Sequence, residues 1–162
     1  MGQILKGGGR SGPPVVILMA DDDEDDRMST AEALAVCGFP TELRSVVDGE
    51  ELMDYLCHRG KHAVVATSPR PDLILLDLNM PRKDGLEALR EMKGDPSLRS
   101  IPVVILTTSQ TEGDIGHTYD LGASSFIVKP VTFDGLANIV KALFEYWFQI
   151  VRLPGGGKVR KQ

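Results

Sequence analysis

Residues 17–26, ILMADDDEDD, pass without a break from an apolar run into six consecutive acids, Asp21 to Asp26. Acids at a helix start interact favourably with the helix dipole and cap its free amides, which accounts for the later members of the run. Asp21 and Asp22 need another reason. They follow directly on Val15 to Ala20, so if that run is a buried strand, both carboxylates stand at the mouth of a sheet.

The rest of the chain repeats this theme. Runs at Val15 to Ala20, Glu42 to Val47, Leu73 to Leu76, Val103 to Leu106 and Ser125 to Val128 read as strands, and three of them are apolar nearly throughout, as suits strands buried on both faces of a parallel sheet. Helices are predicted between them at Asp25 to Val36, Gly49 to His58, Leu86 to Lys93, Glu112 to Leu121 and Phe133 to about Ile150. In the last, Phe133, Leu136, Ala137, Val140, Leu143, Phe144 and Trp147 share one apolar face. Five strands alternating with five helices predict an α/β fold, a doubly wound five-stranded parallel sheet flanked by five helices, over residues 15–153.

Outside that domain, the Gly- and Pro-rich start predicts a flexible leader over residues 1–14, and PGGGKVRKQ a flexible basic tail over 154–162. GGGRSG lacks the Lys and Ser/Thr pair of a phosphate loop and has no strand before it. Eighteen basic against 23 acidic residues leave a formal charge of −5, which argues against a nucleic-acid or membrane-surface binder. No apolar stretch spans a bilayer and no signal peptide is visible, so a cytoplasmic location is expected. Cys37 and Cys57 fall inside predicted helices and are expected to fill the core. His58, His62 and His117 have no metal-ligand spacing.

In a doubly wound fold, ligands bind beyond the carboxyl ends of the strands. There the sequence puts Asp21 and Asp22 after the first strand, Asp77 after the third, Thr107 and Thr108 at the fourth, and Lys129 before Pro130 after the fifth. Three carboxylates brought close repel one another unless a cation offsets them, and a hard divalent ion such as Mg2+ suits oxygen ligands. With Mg2+ and Lys129 offsetting charge, Asp77 can stay ionised and attack a phosphoryl group, while Thr107 and Lys129 bind the phosphoryl oxygens.

MADDDEDD, LILLDLNMPRKDG, IPVVILTTS and GASSFIVKP, in this order and spacing, resemble the receiver domain of two-component response regulators over about residues 15 to 147, a flavodoxin-like fold. The resemblance implies that Asp77 accepts phosphate from a sensor histidine kinase and that Asp22 and Asp77 bind Mg2+. It further implies that Asp21 helps through water, and that the backbone carbonyl of Asn79 completes the protein ligands. Thr107 matches the switch hydroxyl, Lys129 the phosphoryl-binding lysine, and Pro130 a residue that often follows it through a cis bond. The aromatic switch position is Phe126 rather than Tyr, so ring rotation is available but a phenolic hydrogen bond is not.

Only about 15 residues follow Trp147, so no DNA-binding module fits and output by protein contact is expected. Helix four is the expected mobile element: Gly113 and Gly116 weaken it by up to about 1 kcal/mol each, and its apolar face, Ile115, Tyr119 and Gly122, is thin. Along the last helix, Ile139, Leu143, Tyr146, Ile150 and Leu153 form a second stripe of heptad spacing, which predicts a homodimer contact. FEYWFQIVRLP, LDLNMPRKDG and CHRGKHAVVATSPRP further resemble stand-alone regulators paired with phytochrome-type photoreceptor kinases, whose last helices commonly form dimers.

Two other readings compete. An aspartate-nucleophile phosphatase of the haloacid-dehalogenase kind also presents an Asp after an apolar strand, but it needs a second Asp two residues on, where this chain has Asn79. A phosphorylation-independent scaffold would not need the full set of acids. The chain is therefore expected to be a phosphoacceptor that assists its own chemistry rather than an enzyme with a separate substrate.

Overall fold

A computed structural model describes residues 14–154, so the expected leader and tail lie outside the described residues apart from Pro14 and Pro154. The chain alternates strand and helix: β1 (Val15–Ala20), α1 (Glu24–Cys37), β2 (Thr41–Val46), α2 (Gly49–Cys57), β3 (Leu73–Leu76), α3 (Gly85–Gly94), β4 (Val103–Thr107), α4 (Glu112–Asp120), β5 (Ser125–Val128) and α5 (Phe133–Glu145). All strand pairs are parallel and the order is β2-β1-β3-β4-β5. Chain direction across the sheet therefore reverses at the seam between β1 and β3, where such folds open a crevice.

Every residue of β1, β3 and β4 is buried, as expected of central strands with helices on both faces. The alternation along β1 divides two cores. Leu18 and Ala20 join Leu52 and Leu56 of α2 and Leu89 and Met92 of α3, whereas Val15, Ile17 and Met19 join Leu34 of α1 and Val140 and Phe144 of α5. Edge strand β5 is only half-buried.

Helix starts follow local chemistry. Asp23 caps α1 by accepting from the amides of Asp25 and Asp26, and Asp84 and Glu87 form a capping box at α3. Helix α1 stops at Gly38, whose φ of 76° is the left-handed conformation that glycine adopts without strain. The long connection before β3 makes two single 3-10 turns, Gly60–His62 and Val65–Thr67, tied to α2 through His62, which bonds Glu51 and Ser68, and through the Tyr55 hydroxyl, which donates to the Pro69 carbonyl at 2.7 Å.

Three details of the last helix differ from expectation. Its α-helical part ends at Glu145 and a π-helical turn, Tyr146–Ile150, follows, closed by the Val151 amide donating to the Tyr146 carbonyl. Leu136, Val140, Phe144 and Phe148 recur every fourth residue, a spacing that drifts by about 40° per step around an ideal α-helix. The wider final turn counters that drift, so Phe148, which was not expected on the buried face, is buried beside Phe144 with ring centroids 4.9 Å apart, while half-buried Trp147 packs against the same core. Phe133, expected on the buried face, is 40% exposed at the helix start.

The predicted dimer stripe is divided by the same turn. Leu143 and Leu153 pack against the chain's own core, Ile139 is half-buried, and Tyr146 and Ile150 stand exposed. Cys37 is half-buried and Cys57 exposed, so Cys57 is not the core filler that its place in a helix suggested. No cis peptide occurs among the described residues, so Lys129–Pro130 is trans. Helix α4 is thinly packed, as expected, but not through the expected face: Thr118 is its one buried residue, Ile115 is half-buried and Tyr119 is 49% exposed.

Candidate functional site

The sheet register assembles the site. Ala20 of β1 pairs with Leu76 of β3, so the next residues, Asp21 and Asp77, emerge side by side. The Asp77 amide donates to the Ala20 carbonyl at 3.0 Å, and the Asp21 amide to the Val46 carbonyl at 3.1 Å. Thr107 closes β4 and pairs with Val128, which places Lys129 one residue beyond, its amide donating to the Thr107 carbonyl at 2.8 Å.

The side chains converge on Asp77. The Thr107 hydroxyl donates to Asp77 Oδ1 at 2.6 Å, and the Asn79 amide donates to the same oxygen at 3.3 Å. Lys129 Nζ lies 3.4 Å from Asp77 Oδ2, 2.6 Å from Asp21 Oδ2 and 2.7 Å from Asp26 Oδ2. Asp21, Asp77 and Thr107 are buried, and the Lys129 side chain is 10% exposed. Asp22 is exposed at the mouth. Thus Asp21, Asp22, Asp77, Thr107 and Lys129, which come from four separate strand ends, meet at one place, and one carboxylate oxygen from each of Asp21, Asp22 and Asp77 lies within 4.8 Å of the others.

Electrostatics make this arrangement costly without a cation. Burial pushes the Asp21 carboxyl above its ordinary range despite hydrogen bonds from Lys129 and from the Asp23 amide, and the neighbouring Asp77 adds to the rise. Burial pulls the Lys129 ammonium the other way, yet its bonds to Asp21 and Asp26 outweigh that and hold its pKa above the usual lysine value. One ammonium cannot fully offset four nearby carboxylates. Converging carboxylate oxygens with one open, exposed member are the donor set that a hard divalent cation takes, so these residues fit such an ion.

The loop carrying Asn79 is held rigidly. Gly85 follows it, and a Cβ there would overlap the Asp77 backbone carbonyl; a Cβ at Gly49 would overlap the carbonyl of Lys83. The Gly49 amide donates to that Lys83 carbonyl at 2.8 Å, and Arg82, at a left-handed φ of 65°, donates to the buried Asp48 carboxylate at 2.8 Å. Arg27 donates to the Asp21 carbonyl at 2.8 Å. Phe126 is half-buried against the core, and its amide donates to the Tyr119 hydroxyl at 3.2 Å.

Sequence reasoning did not find Asp26, Asp48 or Arg82. Asp26 was read with its neighbours as part of an acidic helix start, and its place in the first turn of α1 is indeed a capping environment. Nothing in the spacing distinguishes it from Asp25, which is exposed. For Arg82 and Asp48 the only signal is the Asp-Gly before a helix, which marks a cap but not its distant partner.

The family profile described as response regulator receiver domain matches residues 17–141. Response regulator Rcp1 of Synechocystis sp. is 40% identical over 123 residues, spanning 76% of this chain and 82% of that protein. Among solved structures, the phosphorylated cyanobacterial phytochrome response regulator RcpA is similar at a TM-score of 0.81 and 45% identity, covering 87% of this chain and 99% of that one. The Mn2+-bound form of Rcp1 follows at a TM-score of 0.79 and 39% identity, with the same coverage. No helix among the described residues is long and apolar enough to cross a membrane.

Proposed function

This chain belongs to the response regulator receiver family and serves phosphorelay signalling, and on that premise we propose that Asp77 is its phosphoacceptor, charged by a phytochrome-like sensor histidine kinase in the presence of Mg2+. One observation carries the assignment: Asp77 is the carboxylate on which a hydroxyl, an ammonium and two further carboxylates converge. The kinase class is supported by the likeness to RcpA and to bacteriophytochrome response regulators.

An Asp77 carboxylate oxygen attacks the phosphorus of a phosphohistidine, the P–N bond breaks, and the imidazole leaves with the electron pair. Asp22, Asp77, the Asn79 backbone carbonyl and, through water, Asp21 would hold Mg2+, which would supply positive charge to offset the carboxylates and the transferring phosphoryl oxygens. Lys129 turns its ammonium from Asp77 Oδ2 to a phosphoryl oxygen, and Thr107 turns its hydroxyl in the same direction. Movement of Thr107 frees space beside β4, into which the half-buried Phe126 ring can rotate. The β4–α4 connection follows Thr107, because the Ser109 amide donates to the Thr107 hydroxyl oxygen at 3.4 Å and the Ser109 hydroxyl to Asp114 of α4 at 2.6 Å.

The output is a protein contact, and the protein works in the cytoplasm beside its kinase. A homodimer through the last helix is supported by Ile139, Tyr146 and Ile150, which leave apolar surface outward; Leu143 is committed to its own core. The phosphatase reading is disfavoured because Asn79 stands where that chemistry needs a proton donor.

Phosphotransfer from an autophosphorylated histidine kinase tests the assignment. Wild type is expected to take up label in a Mg2+-dependent manner and Asp77→Asn to take up none. Equal labelling of the two removes Asp77 from its role.

A further inference from the structure

We propose that Asp26 is a positioning residue for Lys129, the acceptor that keeps the ammonium at the pocket rim when a divalent cation takes over the Asp21 carboxylate. The proposal rests on the preceding reading of Asp21, Asp22 and Asp77 as the cation-holding group.

An ammonium has three protons to place. Lys129 places two at short distance, on Asp21 at 2.6 Å and Asp26 at 2.7 Å, and reaches Asp77 only at 3.4 Å. Asp21 and Asp77 belong with Asp22 to the group whose oxygens converge within 4.8 Å; Asp26 does not. A divalent cation and the ammonium therefore compete for the same two carboxylates and repel each other. Asp26 lies outside that competition.

Its position suits the task. Asp26 sits in the first turn of α1 with its amide donating to the Asp23 cap at 3.3 Å, so its backbone is fixed independently of the cation. Its side chain is 40% exposed, at the open rim of the pocket. The Lys129 backbone is fixed as well, by the hydrogen bond that its amide donates to the Thr107 carbonyl, so the ammonium can move only through its side-chain torsions. Without Asp26, Lys129 stays on Asp21 and opposes the cation there.

A double-mutant cycle of Mg2+ affinity, measured by calorimetry on the full unphosphorylated chain, tests this. Asp26→Ala is expected to weaken Mg2+ binding by about fivefold, and by less than about half that factor in a Lys129→Ala background, where no ammonium remains to compete. A loss equal or larger in the Lys129→Ala background means that Asp26 acts through its charge alone and overturns the proposal, as does no loss in the wild-type background. Should Asp26→Ala fail to fold by circular dichroism, Asp26→Asn takes its place in the cycle with the same criteria. The underlying reading fails separately: an unchanged affinity in Asp22→Ala removes the cation site itself, and the proposal with it.

Discussion

Thr107 donates its hydroxyl proton to Asp77 at 2.6 Å, a buried bond between residues 30 apart in the chain. A charge-assisted bond to a buried carboxylate stabilises the fold by about 1.5–3 kcal/mol, and the same hydroxyl is the group that turns in the proposed phosphorylation of Asp77. The resting bond therefore has to be strong enough to define one state and local enough to be exchanged for another. Thr107→Val, which keeps the volume and removes the donor, is expected to lower stability by about 2 kcal/mol in urea titration, whereas Thr107→Ser, which keeps the hydroxyl, loses about 1 kcal/mol. Equal losses in the two variants would show that the bond adds nothing.

Gly85 and Gly94 stand at opposite ends of α3 and should respond to alanine in opposite ways. A Cβ at Gly85 overlaps the backbone of Asp77 and Leu78, while one at Gly94 meets nothing within 4 Å. Gly85→Ala is expected to cost about 2 kcal/mol and to impair labelling of Asp77, because the backbone that must give way is that of the proposed phosphoacceptor. Gly94→Ala is expected to be neutral or to stabilise by up to about 1 kcal/mol. Denaturant midpoints with labelling assays on both variants check the contrast.

Alkaline pH should loosen the strap before β3. Burial pushes the Tyr55 hydroxyl up to about 12 from its ordinary 10.0. Between those values the folded chain retains a proton that the unfolded chain has released, so stability is fully present below pH 10 and falls as pH rises toward 12. Lys129, whose pKa is also raised, acts in the same direction above its ordinary 10.5. Tyr55→Phe should flatten part of this decline in melting temperature, and the variant should lose a late-titrating component of the wild-type tyrosinate absorbance.

The π-helical turn makes neighbouring residues unequal. Phe148 is 5% exposed and packs on Phe144, whereas Ile150 is 70% exposed. Phe148→Ala is expected to cost about 3 kcal/mol, and Ile150→Ala less than about 0.5 kcal/mol. If the homodimer forms through this face, Ile150→Asp should shift the chain to monomer in sedimentation analysis without changing the monomer's fold. A dimer that survives both Ile150→Asp and Tyr146→Asp is held elsewhere.

Local pattern determined most of the architecture. Val15 to Ala20, Leu73 to Leu76 and Ser125 to Val128 match the observed strands end for end, and the other strands and the first four helices differ by a residue or so, because alternation of buried apolar runs with capped amphipathic ones is written in adjacent residues. The acids, hydroxyl and lysine of the candidate site were also legible, since each lies at or just after the end of a strand and strand ends of a parallel sheet share one edge. Tertiary structure decided which of six consecutive acids matter and how. Asp23 caps a helix, Asp22 opens to solvent, and Asp21 and Asp26 take the Lys129 ammonium from a strand end more than a hundred residues away. It also turned Phe148 inward and Ile150 outward through one wide helical turn. Such choices depend on distances between segments remote in the chain, and adjacency along the sequence carries no measure of them.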